Sequence, residues 1–109
     1  MELRQLRYFA AVARQLHFGE AARELHMAQP PLSQQIIRLE QELGVQLFHR
    51  TSRQVELTED GRLLLDAVRV VLGDVEHVED LAGRLRDGTA GRLRIGFVAS
   101  VLNWGLAAH

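Results

Sequence analysis

Apolar side chains along this chain first recur at helical spacing, then alternate briefly, then settle into a long heptad. Leu3, Leu6, Phe9, Ala10, Ala13 and Leu16 share one face and predict an amphipathic helix over residues 3–16, with Arg4, Arg7 and Arg14 on its solvated side. Gly19 is an acceptable N-cap and Glu20 suits the positive end of a helix, so Ala21, Ala22 and Leu25 predict about two turns behind them. His26, Met27 and Ala28 make a short connection. Pro30 and Pro31 then open a third helix, because their torsions are preset for a first turn whose N–H groups would be unpaired anyway. Leu32, Ile36, Leu39 and Leu43 give that helix a core stripe, and Gly44 suits the left-handed cap that ends it.

Beyond Gly44, the β-prone runs Gln46–His49 and Gln54–Leu57 flank Arg50, Thr51, Ser52 and Arg53, the pattern of a small hairpin with arginines at its tip. Thr58 supplies a capping hydroxyl, and Glu59 and Asp60 two first-turn acids, for a fourth helix. Along it Leu64, Val68, Val71, Val75, Val78, Ala82 and Leu85 hold an unbroken heptad seam that must meet another helix. Leu65, Leu72 and Leu81 widen the stripe beyond what a small head would cover, so self-association is the simplest partner, with packing back on its own head as the alternative. Residues 59–86 would span about 42 Å at 1.5 Å per residue. Residues 88–91 read as a hinge, and RLRIGFV alternates as a strand. The expected organisation is mainly α: a winged helix-turn-helix head at 1–58, a linker helix at 59–87, the hinge, and the start of a further domain at 92–109.

A helix, a tight connection and a capped second helix, with small Ala22 where the two cross, form the sequence pattern of a helix-turn-helix. That arrangement presents the N-terminal half of the third helix to a major groove. Its surface away from the core carries Pro30, Gln34, Ile37, Arg38 and Gln41, with Gln29, Pro31 and Ser33 beside them. Gln bonds the paired donor and acceptor of adenine, Ser bonds either kind of group, and apolar atoms of Pro or Ile meet a thymine methyl. Arg50 and Arg53 on the hairpin suit phosphates or a narrow minor groove. Taken singly, these features also fit an ordinary solvated helix face and an exposed arginine loop; only their combination points to DNA.

Charge and composition exclude more than they assert. The 109 residues carry a net charge of −1, which hides an asymmetry: residues 1–57 hold seven Arg against six Glu, and the remainder six Arg against eight acids. Any phosphate binding must therefore come from position rather than from net charge. Cysteine is absent, which removes disulfides, thiolate metal sites and thiol nucleophiles together. The five histidines show no HxxxH or HExxH spacing, and neither a Gly-rich phosphate loop nor a GxSxG elbow is present, so neither an enzyme nor a bound cofactor or metal is expected. No apolar run has the length of a membrane span, and the N-terminus lacks a signal peptide's apolar region, which makes the cytoplasm the expected compartment.

With these elements placed, the chain resembles the LysR-type transcriptional regulators over essentially its whole length. The wording that carries the resemblance is LRQLRYFAAVA, then FGEAARELHMAQPPLSQQIIRLEQELGVQLFHR, then LTEDG and RLRIGFVAS. AQPPLS and RIGFVAS look most like the branch controlling aromatic-compound catabolism, of benzoate and catechol type. The resemblance implies a winged head, a linker helix that dimerises heads, and a C-terminal effector-sensing domain, in tetramers on partly palindromic promoter DNA. Carried over by position, Gln29, Pro30, Ser33 and Gln34 correspond to base-reading or groove-lining residues, Arg53 to the wing's minor-groove arginine and Arg50 to a phosphate contact. Ser100 falls where the aromatic-catabolism branch contributes a hydroxyl to the effector site. Two positions depart from the pattern: Gln34 stands where relatives often have Arg, and Gly19 where they usually have a hydroxyl. The rival expectation is a coiled-coil interaction module whose helix pair does not read DNA.

Overall fold

The computed structural model describes residues 1–88, and they form α1 (Leu3–Gln15), α2 (Phe18–Glu24), α3 (Gln29–Leu43), β1 (Phe48–Arg50), β2 (Val55–Leu57) and α4 (Glu59–Arg86). The architecture is the expected winged helix-turn-helix, mainly α, with β1 and β2 paired antiparallel in the register Phe48 to Leu57 and Arg50 to Val55. The hinge beyond Gly88, the strand expected after it and Ser100 lie outside the described residues.

Met1–Leu72 makes one compact unit. Its core is built where three helices and the wing converge on aromatic rings: Phe48 lies 5.5 Å from Phe9 and 6.1 Å from Phe18, centroid to centroid, the second pair edge to face. Leu32, Ile36 and Leu39 of the stripe read from α3 are fully buried beside them, as are Val12 and Leu47, and the fourth member, Leu43, is half-buried against them. Each such side chain contributes roughly 1.5–3 kcal/mol over leaving it in water. Ala21 and Ala22 are buried as well, which lets α2 come close to its neighbours, as the helix-turn-helix pattern requires.

The structure moves several boundaries: α1 ends at Gln15, with Leu16 its left-handed cap at φ 49°. α2 starts two residues earlier than read, because His17 rather than Gly19 is the N-cap: its Nδ1 accepts the Glu20 N–H at 2.9 Å. The wing strands are shorter and shifted, so that Arg50 belongs to β1 and the turn is Thr51–Gln54. Thr51 closes that turn by itself: its N–H donates to the Gln54 carbonyl at 2.9 Å, and its Oγ accepts the Gln54 N–H at 3.0 Å. The α2–α3 connection places His26 at φ 56°, a left-handed residue without glycine's freedom, and its neighbour Met27 donates its N–H to the Ala22 carbonyl at 3.0 Å.

α4 is joined to the wing at its first turn. The Thr58 hydroxyl accepts the Gly61 N–H at 2.9 Å, as the capping pattern predicted, and donates to the Gln46 carbonyl at 2.6 Å. Gly61 is required here by close approach: a Cβ would lie 2.2 Å from the Leu47 carbonyl oxygen. This docking corrects the seam read from the sequence. Val68 is 2% exposed and Leu65 6%, both in the core of the head, with Leu64 and Leu72 packed partly against it. The early heptad residues therefore cover the head itself. Val71, Val78 and Leu85 stay exposed, Ala82 likewise, and Val75 is half-buried.

Candidate nucleic-acid interface

One groove gathers most of the residues singled out above. It has a volume of about 420 Å³, and its walls are the start of α2 (His17, Phe18, Gly19), the N-terminal half of α3 (Gln29, Ser33, Ile37) and the wing from Arg50 to Val55. On α3 the fourfold spacing of Gln29, Ser33 and Ile37 makes one stripe turned towards the wing. Pro30, Pro31, Gln34 and Arg38 are exposed as expected but lie outside the groove's lining, on the more outward part of the helix. The helix thus offers two adjacent strips, one inside the groove and one on its open side.

The two wing arginines differ in what they can do. Arg53 is exposed in the Thr51–Gln54 turn, at the tip, with Ser52 beside it. Arg50 is not at the tip, contrary to the reading from sequence. It sits in β1, its Nη2 donates to Glu40 Oε1 at 2.8 Å, and its guanidinium lies 5.2 Å from the centre of the Phe18 ring. A planar five-donor group can hold both contacts and still present further N–H groups to the groove it lines.

Glu40 is the residue that sequence reasoning missed. By helical spacing it falls at the edge of the polar face, yet it is 9% exposed. Its Oε2 accepts the backbone N–H of Leu47 at 2.8 Å and of Phe48 at 3.3 Å. One carboxylate therefore caps the strand that enters the wing and anchors the arginine that ends it, fixing the hairpin against α3. No periodic signal reveals this, because the acid lies beside the core stripe and its partners are seven to ten residues on. A second link ties α1 to α2: Glu24 accepts from Arg14 Nε at 3.1 Å and from Gln15 Nε2 at 2.9 Å. Those bonds, the Arg14 one first, hold the Glu24 carboxyl below its usual range, and Glu24 in turn raises the Arg14 guanidinium.

Among the described residues no group of three His, Asp or Glu side chains stands where it could hold a metal, and no helix is long and apolar enough to cross a membrane. The groove is open, arginine-edged and lined by amide and hydroxyl side chains, a surface for a polar polyanion rather than a pocket for a small substrate.

Comparison with known proteins agrees with that geometry. The transcriptional regulator AlsR of Bacillus subtilis is 55% identical over 92% of this chain, which covers 33% of AlsR. A probable cat1 operon transcriptional activator of Acinetobacter lwoffii is 52% identical over 94% of the chain and 34% of its own length. The chain thus spans about a third of these relatives. Among solved structures, the BenM DBD in complex with catB site 1 DNA superposes with a TM-score of 0.74 at 45% identity, covering 78% of this chain and 96% of that one. Residues 3–62 match the bacterial regulatory helix-turn-helix proteins of the lysR family, and the chain belongs to that family.

Proposed function

We propose that this chain is the promoter-binding part of a transcriptional regulator acting on double-stranded DNA in the bacterial cytoplasm. The observation that carries the reading is the groove itself, in which the amide and hydroxyl groups of α3 face an arginine-tipped wing. In this reading α3 enters the major groove. Gln29, Ser33 and Gln34 read base edges, Pro30, Pro31 and Ile37 supply apolar contacts, and Arg38 reaches a phosphate. Arg53 enters the flanking minor groove. Arg50, held by Glu40, sets the wing's angle and turns its remaining donors to the backbone. The likeness to a chain solved on DNA supports the same docking.

Two such heads join through α4, where the exposed Val71, Val78 and Leu85 and the neighbouring Val75 and Ala82 form the dimer seam, without Val68. The domain plan is then a head that extends into α4, a linker, a hinge at 88–91 and an effector domain from 92 on. In the full-length protein that domain senses a small molecule of aromatic catabolism, with Ser100 contributing a hydroxyl, and the protein assembles as a tetramer. The AQPPLS and RIGFVAS wording and the likeness to the BenM DBD favour that branch, whereas the likeness to AlsR does not distinguish it.

Selection from a random duplex pool tests the reading. An enriched inverted repeat, with half-sites one or more helical turns apart, is the expected result. Salt-sensitive retention without any enriched sequence would refute base reading, and no retention at low salt would refute DNA binding altogether.

A further inference from the structure

His17 caps α2, and the way it does so leaves a hydrogen-bond donor on a side chain that lines the groove. Its Nδ1 is occupied as the acceptor of the Glu20 N–H at 2.9 Å. A neutral imidazole with Nδ1 accepting carries its hydrogen on Nε2, so the cap fixes the tautomer. Among the described residues no protein acceptor takes that Nε2 hydrogen, and the side chain is exposed.

Gly19 explains where the ring sits. A Cβ at position 19 would lie 2.9 Å from His17 Cε1 and 3.3 Å from Nδ1, and 3.5 Å from Gln29 Oε1. The imidazole thus fills the space that a side chain at residue 19 would occupy, beside the first polar residue of α3. His17, Gly19, Gln29, Ser33 and Arg53 all line the same groove.

We propose that His17 is a DNA-contacting residue, its Nε2–H donating to an acceptor on the bound duplex, and that Gly19 is glycine to seat the ring. This rests on the groove being the DNA face. The contact is neutral while Nδ1 serves the cap, so it adds affinity without releasing counterions, unlike a contact from Arg53.

The test uses the full 109-residue chain and the selected duplex. His17→Ser keeps an N-cap acceptor for Glu20 and removes the donor. The expected result is an affinity loss of about threefold to tenfold, the range of one hydrogen bond, with an unchanged slope of affinity against salt. Gly19→Ala, which displaces the ring, should cost a similar factor alone and nothing further on the His17→Ser background. His17→Asn, a good cap with an N–H donor of its own, should recover part of the loss. A loss shared by all duplexes would identify a phosphate acceptor, and one confined to the selected site a base edge; either outcome supports the contact. Unchanged affinity in His17→Ser, additive losses in the double variant, or a salt slope that falls by about one would each overturn it. Failure of the wild-type chain to bind any duplex, with Arg53→Ala indistinguishable from it, would instead overturn the functional reading on which the proposal rests.

Discussion

Replacing Glu40 by Gln removes one negative charge and almost no volume, so its effect isolates the electrostatic anchor of the wing. In the native head the carboxylate accepts from two backbone N–H groups and one guanidinium at once. A glutamine has one acceptor oxygen. If that oxygen stays on the Leu47 and Phe48 N–H groups, the amide NH2 must face Arg50, donor against donor. If it turns to Arg50, two buried N–H groups lose their partner. Breaking a buried pair by removing one charge costs about 3–5 kcal/mol. Arg50's side chain is 31% exposed, so water takes over part of its solvation, and the expected loss falls to about 2–3 kcal/mol. Urea unfolding of the purified chain measures it: the midpoint should drop with the slope unchanged, since the surface exposed on unfolding is the same. In a double-mutant cycle with Arg50→Gln, the two losses should be less than additive by about 1–3 kcal/mol. A Glu40→Gln loss under about 0.5 kcal/mol, or strict additivity with Arg50→Gln, would refute the anchor.

Other perturbations reach different parts of the molecule. Gly61→Ala puts a methyl against the Leu47 carbonyl, which is backbone and cannot move aside cheaply, so a loss of about 1–3 kcal/mol in the same unfolding assay is expected. Arg53→Ala should lower DNA affinity and reduce the salt slope by about one; an unchanged slope in a titration at several salt concentrations would remove the Arg53 charge from the DNA interface. Val71→Asp should shift the chain towards monomer in sedimentation at low micromolar concentration, and an unaltered sedimentation coefficient would count against the seam. Glu24→Gln should cost about 0.5 kcal/mol at neutral pH, as exposed ion pairs do. Because the folded Glu24 carboxyl is held below its usual range, its contribution is complete above the unfolded carboxylate pKa and is lost as pH falls through the folded value. The wild-type and Glu24→Gln unfolding midpoints should therefore converge in acid.

Much of the groove was readable because it is local. Gln29, Ser33 and Ile37 share a stripe by spacing alone, and Pro30, Pro31 and Gly44 bracket the helix that carries them. Arg53 was recognisable as a wing residue from the turn around it. His17 escaped notice because a histidine cap has the same sequence appearance as a solvated histidine, and the nearby glycine offered itself as the cap. The one available signal was the pairing of a ring at position 17 with an empty position at 19.

The sequence by itself determined the elements: helical periods, a proline start, a glycine stop, a Thr58 cap and the small Ala22 specify which residues lie together on each face. Those are properties of neighbouring residues, set by backbone geometry and the need to pair the end groups of each helix. Tertiary structure alone decided which faces meet. It turned Glu40 inward to hold Leu47, Phe48 and Arg50, moved Arg50 from the wing's turn into the end of β1, and assigned Leu65 and Val68 to the head. A heptad fixes a stripe but not its partner. What covers each turn of α4 depends on where the wing backbone passes, and at Gly61 it passes within reach of a single missing methyl group.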